Sequence, residues 1–137
     1  MLKQISVFLP NQPGILAKFT EILMTKNINM RAISVAETAD YGILRILVDK
    51  VNECVDVLKE NNFLVSTTDV IAVDIPDTPG ALHEIAKTLG DNNINIEYLY
   101  STLVKNEAII VLRIDNINKA IEVLKDKGVK LIEKQEF

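Results

Sequence analysis

The chain is written twice. Moving the 137-residue sequence along itself by 75 − 9 = 66 positions places LPNQPGIL (Leu9 to Leu16) on IPDTPGAL (Ile75 to Leu82). The same shift puts NIN at Asn27 to Asn29 on NIN at Asn93 to Asn95. The register then holds without a gap: Ile43, Asp49, Asn52 and Val57-Leu58-Lys59 meet Ile109, Asp115, Asn118 and Val123-Leu124-Lys125. Over the 137 − 66 = 71 aligned positions there are 16 identities. A repeat of this length constrains the fold more than any motif. It turns a length that would suit one domain into two copies of one unit, with expected domains at residues 1–67 and 68–137.

Each copy reads the same way. Ile5, Val7 and Leu9 alternate as in a strand, and Pro10 and Pro13 stop it. From Pro13 the apolar positions Ile15, Leu16, Phe19, Ile22 and Leu23 follow helical spacing, which predicts an amphipathic helix ending near Asn27. Two strands over 29–38 and 41–49 flank a turn at Ala39 and Asp40; Val51, Val55 and Leu58 mark a second helix, and Phe63 to Val65 close the unit. In the second copy the elements fall at Ile71–Ile75, Leu82–Leu89, Asn95–Val104, Glu107–Ile114, Ile117–Leu124 and Val129–Ile132. The order βαββαβ predicts an α+β fold, two tandem ferredoxin-like units with antiparallel sheets and helices on one face. The junction VSTTDVIAVDI has no Gly- or Pro-rich linker, so one copy should run almost directly into the next.

A unit of this size is marginal alone, so mutual packing of the copies is expected. On the third strand Leu44, Ile46 and Val48, with Ile110, Leu112 and Ile114, form one apolar parity that should face the helices. The other parity, Ile43, Arg45 and Leu47 with Ile109, Val111 and Arg113, is too apolar to be left in water. A second chain covering it would make a homodimer. The second strand of each copy is an edge, and pairing the two edges would join the units into one eight-stranded sheet.

The most informative residues are the recurrent strand-to-helix turns, Asn11-Gln12-Pro13-Gly14-Ile15-Leu16 and Asp77-Thr78-Pro79-Gly80-Ala81-Leu82. Pro suits the first helical position and Gln12 or Thr78 can cap. Gly14 and Gly80 lack a Cβ beside the free N–H groups of the first turn, which suit a carboxylate. Asn11 or Asp77 could accept from an ammonium group, so donors and acceptor together match the two ends of a free α-amino acid. The same residues also make an ordinary turn, but here they recur on a duplicated frame.

Strand-[Asn/Asp]-x-Pro-Gly-x-Leu-helix, followed by Ile28-Asn29 or Ile94-Asn95, resembles the ACT domain, the small regulatory module that binds amino acids in metabolic enzymes. The resemblance covers both copies and implies a tandem ACT protein with no catalytic domain attached. In serine-responsive members the loop Asn and the Asn opening the second strand hold the amino acid from opposite sides of a domain interface. By position those roles fall on Asn11 and Asn29, and on Asp77 and Asn95, which implies that a free amino acid binds at the interface between the two ACT-like domains. Those members carry a polar residue two positions before the loop Asn, where this chain has Leu9 and Ile75, which argues against serine itself. A carboxylate pairs with an ammonium group more strongly than an amide does, so the Asp77 loop is expected to be the stronger site. Regulatory subunits of branched-chain amino-acid synthesis resemble this architecture in part, which points to a metabolic enzyme regulated in trans. A ligand-free regulatory or assembly subunit is the alternative.

Tyr98 and Tyr100 stand where the first copy has Ala32 and Ser34, and either line a pocket or pack; Ser34 and Ser101 are further polar candidates on the same strands. His83 has no partner at metal-ligand spacing, and Cys54, opposite Ala120, reads as a small buried apolar residue. No catalytic constellation, metal site or cofactor is expected. With 15 basic against 19 acidic side chains the chain carries a net charge of −4, and Phe8 is no row of stacking aromatics, so nucleic acid is not the expected partner. The apolar run before Pro10 is short for a signal peptide and nothing approaches a membrane span, so a cytoplasmic protein is expected.

Overall fold

The computed structural model describes residues 1–37, 40–104 and 107–133; the expected turn residue Ala39 lies outside them. The chain divides into two compact units, one built on Lys3–Thr68 and the other on Asp69 onward together with Met1–Leu2. The first contains β1 (Leu2–Pro10), α1 (Ile15–Thr25), β2 (Met30–Glu37), β3 (Tyr41–Val48), α2 (Val51–Glu60) and the start of β4 (Leu64–Pro76). The second continues from β4 through α3 (Ala81–Asp91), β5 (Ile96–Val104), β6 (Glu107–Ile114), α4 (Ile117–Asp126) and β7 (Lys130–Ile132). The strand order is β2-β3-β1-β4 in the first unit; in the second β5, β6 and β4 follow in that order, with β7 also paired to β4. Both are antiparallel ferredoxin-like sheets. No helix among the described residues is long and apolar enough to cross a membrane.

The repeat is reproduced bond by bond. Ile5↔Ile46 and Val7↔Leu44 in one unit become Ile71↔Leu112 and Val73↔Ile110 in the other. Each second strand carries an irregularity at its start, between Met30 and Ala32 and between Ile96 and Tyr98. The first Asn of each NIN has a positive φ, 54° at Asn27 and 56° at Asn93. It ends the helix in the left-handed conformation that Asn tolerates, and Ile28 N and Ile94 N then donate back to Leu23 O and Leu89 O at 2.9 Å. The second Asn clamps the next strand: Asn29 N donates to Asp49 Oδ1 and Asp49 N to Asn29 O, as do Asn95 and Asp115.

In both units the expected parity faces the helices. Leu44, Ile46 and Val48 share a core with Phe19, Leu23 and Leu58, and Ile110, Leu112 and Ile114 with Ile85, Leu89 and Leu124. The opposite parity differs from expectation: Leu47, Ile109 and Val111 are already buried within the single chain. Their apolar character therefore does not by itself call for a second copy. The strand count is corrected as well. The last strand of copy one and the first of copy two are one 13-residue strand, β4, which makes seven described strands rather than eight. β2 pairs with β3 and β5 with β6.

Cys54 and Ala120, equivalent positions on α2 and α4, are fully buried. Burial, and to a lesser degree the charge of Asp49, pushes the Cys54 thiol from its ordinary 9.0 up to about 12. The folded state thus resists ionisation that the unfolded chain accepts, so stability falls as pH rises above the ordinary value. Denaturation midpoints measured from pH 8 upward should drop more steeply for this chain than for Cys54→Ala. Thiol reagents should label Cys54 in denaturant and spare it in the folded protein.

Candidate functional site

Each candidate site begins where a strand meets proline. After Pro10 and Pro76 the two turns make matching bonds: Gln12 N to Pro10 O and Thr78 N to Pro76 O, both 2.9 Å. Ile15 N then donates to Gln12 O and Ala81 N to Thr78 O. Gly14 (φ 82°) and Gly80 (φ 89°) hold the N-cap position in the left-handed region, with no side-chain cap bond. This corrects the expected capping by Gln12 or Thr78. It also moves Pro13 and Pro79 out of the first helical turn, because a left-handed residue cannot itself be helical and the helix starts one position later. A Cβ on either glycine would meet nothing within 4 Å. The glycines therefore serve the turn's φ and leave open space over the helix end.

The consequence is an uncapped helix N-terminus. In α3 the N–H of Ala81 is used by the turn, whereas those of Leu82 and His83 have no acceptor among the described residues. Such a helix end attracts a carboxylate. Leu82, His83, Thr78, Pro79, Gly80 and Asp77 are exposed, and Ala81 is half-buried. In α1, Gln12, Pro13, Gly14 and Leu16 are likewise exposed and Ile15 is half-buried.

The turns differ in their first residue. Asn11 Nδ2 donates to Glu37 Oε2 at 2.9 Å, and Asn11 N donates to Asp40 O, so the copy-one turn is tied to the hairpin beside it. Position 37 of copy one corresponds to Leu103 in copy two, which offers no carboxylate. The Asp77 side chain is exposed and makes no hydrogen bond or ion pair among the described residues.

Beside the Asp77 turn lies a cavity of about 530 Å³, lined by Thr78, Pro79, Gly80 and Ala81 and by residues absent from the motif: Asp74, Ile75, Glu84, Gly128, Val129 and Lys130. Asp74 and Lys130 face each other across the β4–β7 ladder. Their ion pair spans 3.2 Å, with the Asp74 side chain 9% and the Lys130 side chain 71% exposed. Two carboxylates, Asp74 and Glu84, and a lysine thus line a volume typical of small-molecule sites, next to the turn that carries Asp77. Sequence reasoning missed Asp74, Glu84 and Lys130. The signal was the repeat itself, because these are positions where the copies change charge: Phe8 to Asp74, Lys18 to Glu84, Leu64 to Lys130.

Several expected site residues are not brought to this cavity. Asn29 and Asn95 follow the C-terminal ends of α1 and α3, so each stands a full helix of 11 residues, about 16 Å at 1.5 Å per residue, from the turn of its own unit. Ser34, Tyr98 and Tyr100 pair with Arg45, Arg113 and Val111, which places them on the parity opposite the helices. Ser101 pairs with Ile110. Tyr100 is buried and Tyr98 and Ser34 half-buried. Leu9 and Ile75, the departures from the serine-type pattern, are core residues, and Ile75 also lines the cavity.

The chain is similar to several known proteins. A protein from Bacteroides thetaiotaomicron, BT0572, shares 44% identity, with 96% of this chain and 91% of that chain covered and a TM-score of 0.92. The regulatory subunit of aspartate kinase from Thermus thermophilus, in its ligand-free form, shares the fold at 18% identity, covering 90% of this chain and 91% of that chain with a TM-score of 0.69. The acetolactate synthase small subunit of Aquifex aeolicus is 27% identical over 92% of this chain and 73% of its own length. The family model described as an ACT domain pair matches residues 1–137. The chain therefore belongs to the ACT domain pair family.

Proposed function

We propose that this protein is a non-enzymatic regulator that binds a free amino acid at the Asp77 turn and transmits its presence to a metabolic enzyme in trans. The observation that carries the reading is the cavity beside α3. The start of α3 adjoins it, where the unpaired N–H groups of Leu82 and His83 offer a seat for a carboxylate; Glu84 in the cavity wall and Asp77 in the adjoining turn offer acceptors for an ammonium group. Gly80 keeps a Cβ out of the approach. The Asp74–Lys130 pair, with its carboxylate largely withdrawn from water, holds the cavity wall in place.

Asn95 cannot reach this ligand within its own unit. The arrangement that the family resemblance implies, with a loop residue and a strand-opening Asn on opposite sides of the amino acid, therefore calls for the Asn of another ACT-like domain closing over the turn. Asn11, an amide where copy two has a carboxylate, makes the copy-one turn the weaker amino-acid site. The second reading is a regulatory or assembly subunit that binds no ligand; the likeness to a protein named as an acetolactate synthase small subunit supports action as an enzyme's subunit in either reading. In either reading the work is done through a partner, and a cytoplasmic location and a homodimer belong to the same proposal.

Thermal denaturation with each of the twenty amino acids separates the two readings. A specific ligand at 100 times its Kd should add about 2.7 kcal/mol of stability. Asp77→Ala should remove more of that gain than Asn11→Ala. Glu84→Gln should weaken binding by about 1 kcal/mol, the worth of a partly exposed charge-assisted contact. If no amino acid raises the midpoint, the ligand-free reading stands; if Asn11→Ala is the more damaging change, the ranking of the turns is wrong.

A further inference from the structure

The first unit has a cavity at the position equivalent to that beside α3, and its chemistry is reversed. It measures about 540 Å³ and is lined by Phe8, Pro10, Ile15, Lys18, Tyr41 and the segment from Asn61 to Leu64. Subtracting 66 from the residues of the α3 cavity maps Asp74 onto Phe8, Glu84 onto Lys18, Val129 onto Phe63 and Lys130 onto Leu64. The cross-strand ion pair of one copy has thus become two apolar side chains, and the acid on the helix has become a base. No carboxylate lines this cavity, and Lys18 forms no ion pair among the described residues.

Where charged side chains would be well solvated, the first copy leaves Phe8 44%, Tyr41 59% and Leu64 68% exposed. Three large apolar side chains exposed around one concavity mark a binding surface more than scattered surface hydrophobes do. The occupant should bury an apolar body against Phe8, Phe63 and Leu64. It should also carry a negative charge for Lys18. An ammonium group finds no carboxylate in the lining of this cavity and meets a like charge in Lys18.

We infer that the cavity formed by Phe8, Lys18, Tyr41, Phe63 and Leu64 is a second small-molecule site, for a carboxylate that has an aryl or branched apolar body and lacks an α-ammonium group. It would let one chain respond to an amino acid at one copy and to a related deaminated acid at the other. The inference goes beyond the amino-acid reading and does not depend on it, because each cavity is read from its own residues.

Isothermal titration of the full chain with 3-phenylpropionate, its neutral amide 3-phenylpropanamide, and phenethylamine tests the assignment. The acid should bind with a Kd of about 1 mM or tighter, as a ligand of this size allows. The amide should bind about fivefold more weakly and the amine more weakly still. Lys18→Gln should remove the preference for acid over amide, whereas Lys87→Gln, an equal charge change on the exposed face of α3, should leave it intact. Leu64→Ser should weaken acid and amide together. The amino-acid response of the Asp77 turn should persist in Lys18→Gln, so failure at one site is distinguishable from failure at the other. No heat with the acid at about 10 mM, equal binding of acid and amine, or an unchanged preference in Lys18→Gln would each overturn the inference. So would saturation of the apolar patch by concentration-dependent self-association.

Discussion

The left-handed glycine between strand and helix is the constraint on which the rest of this protein depends. Gly14 and Gly80 turn the chain from the end of a central strand into a helix without a capping side chain. A residue with a Cβ would be strained in that conformation even though the space around it is empty. Because nothing caps the helix, its first N–H groups stay available, and because nothing fills the space, a small molecule can reach them. The proline before each glycine stiffens the approach and has no N–H to leave unsatisfied. One turn thus specifies both the geometry of the fold at that corner and the opening beside it.

Duplication preserved that frame and released the walls. The strand registers, helix ends and Asn–Asp clamps recur at a spacing of 66 residues, while the residues lining the two cavities have changed charge and polarity. The preserved elements are those whose alteration costs buried packing or backbone hydrogen bonds, of the order of 1 to several kcal/mol each. The altered ones are exposed or half-exposed, where substitutions cost little. Divergence at the cavities therefore changed the chemistry of their walls at little cost to folding.

Much of this was legible in the sequence for particular physical reasons. The period-two alternation of Leu44, Ile46 and Val48 identifies the helix-facing side of a strand, and the structure buries all three against α1 and α2. The lack of a linker between copies becomes the single strand β4. Cys54 opposite Ala120 reads as core and is core. The rest depends on encounters between distant segments. Lys130 reaches Asp74 only because β7 pairs with β4, and Asn11 bonds Glu37 across 26 residues. A motif confined to the turn could show neither. The burial of Leu47, Ile109 and Val111 was likewise hidden, because alternation tells which residues share a face and not what covers it.

The central claim is that the two copies keep one turn but differ in what it accepts, with the Asp77 turn selective for an amino acid. Amide 1H–15N spectra recorded while an equimolar mixture of the twenty amino acids is added test it most directly. The account predicts that the Leu82 and His83 signals move in a saturable way while those of Leu16 and Ala17 stay in place. Equal movement at both turns, or movement at Leu16 and Ala17 alone, would contradict it.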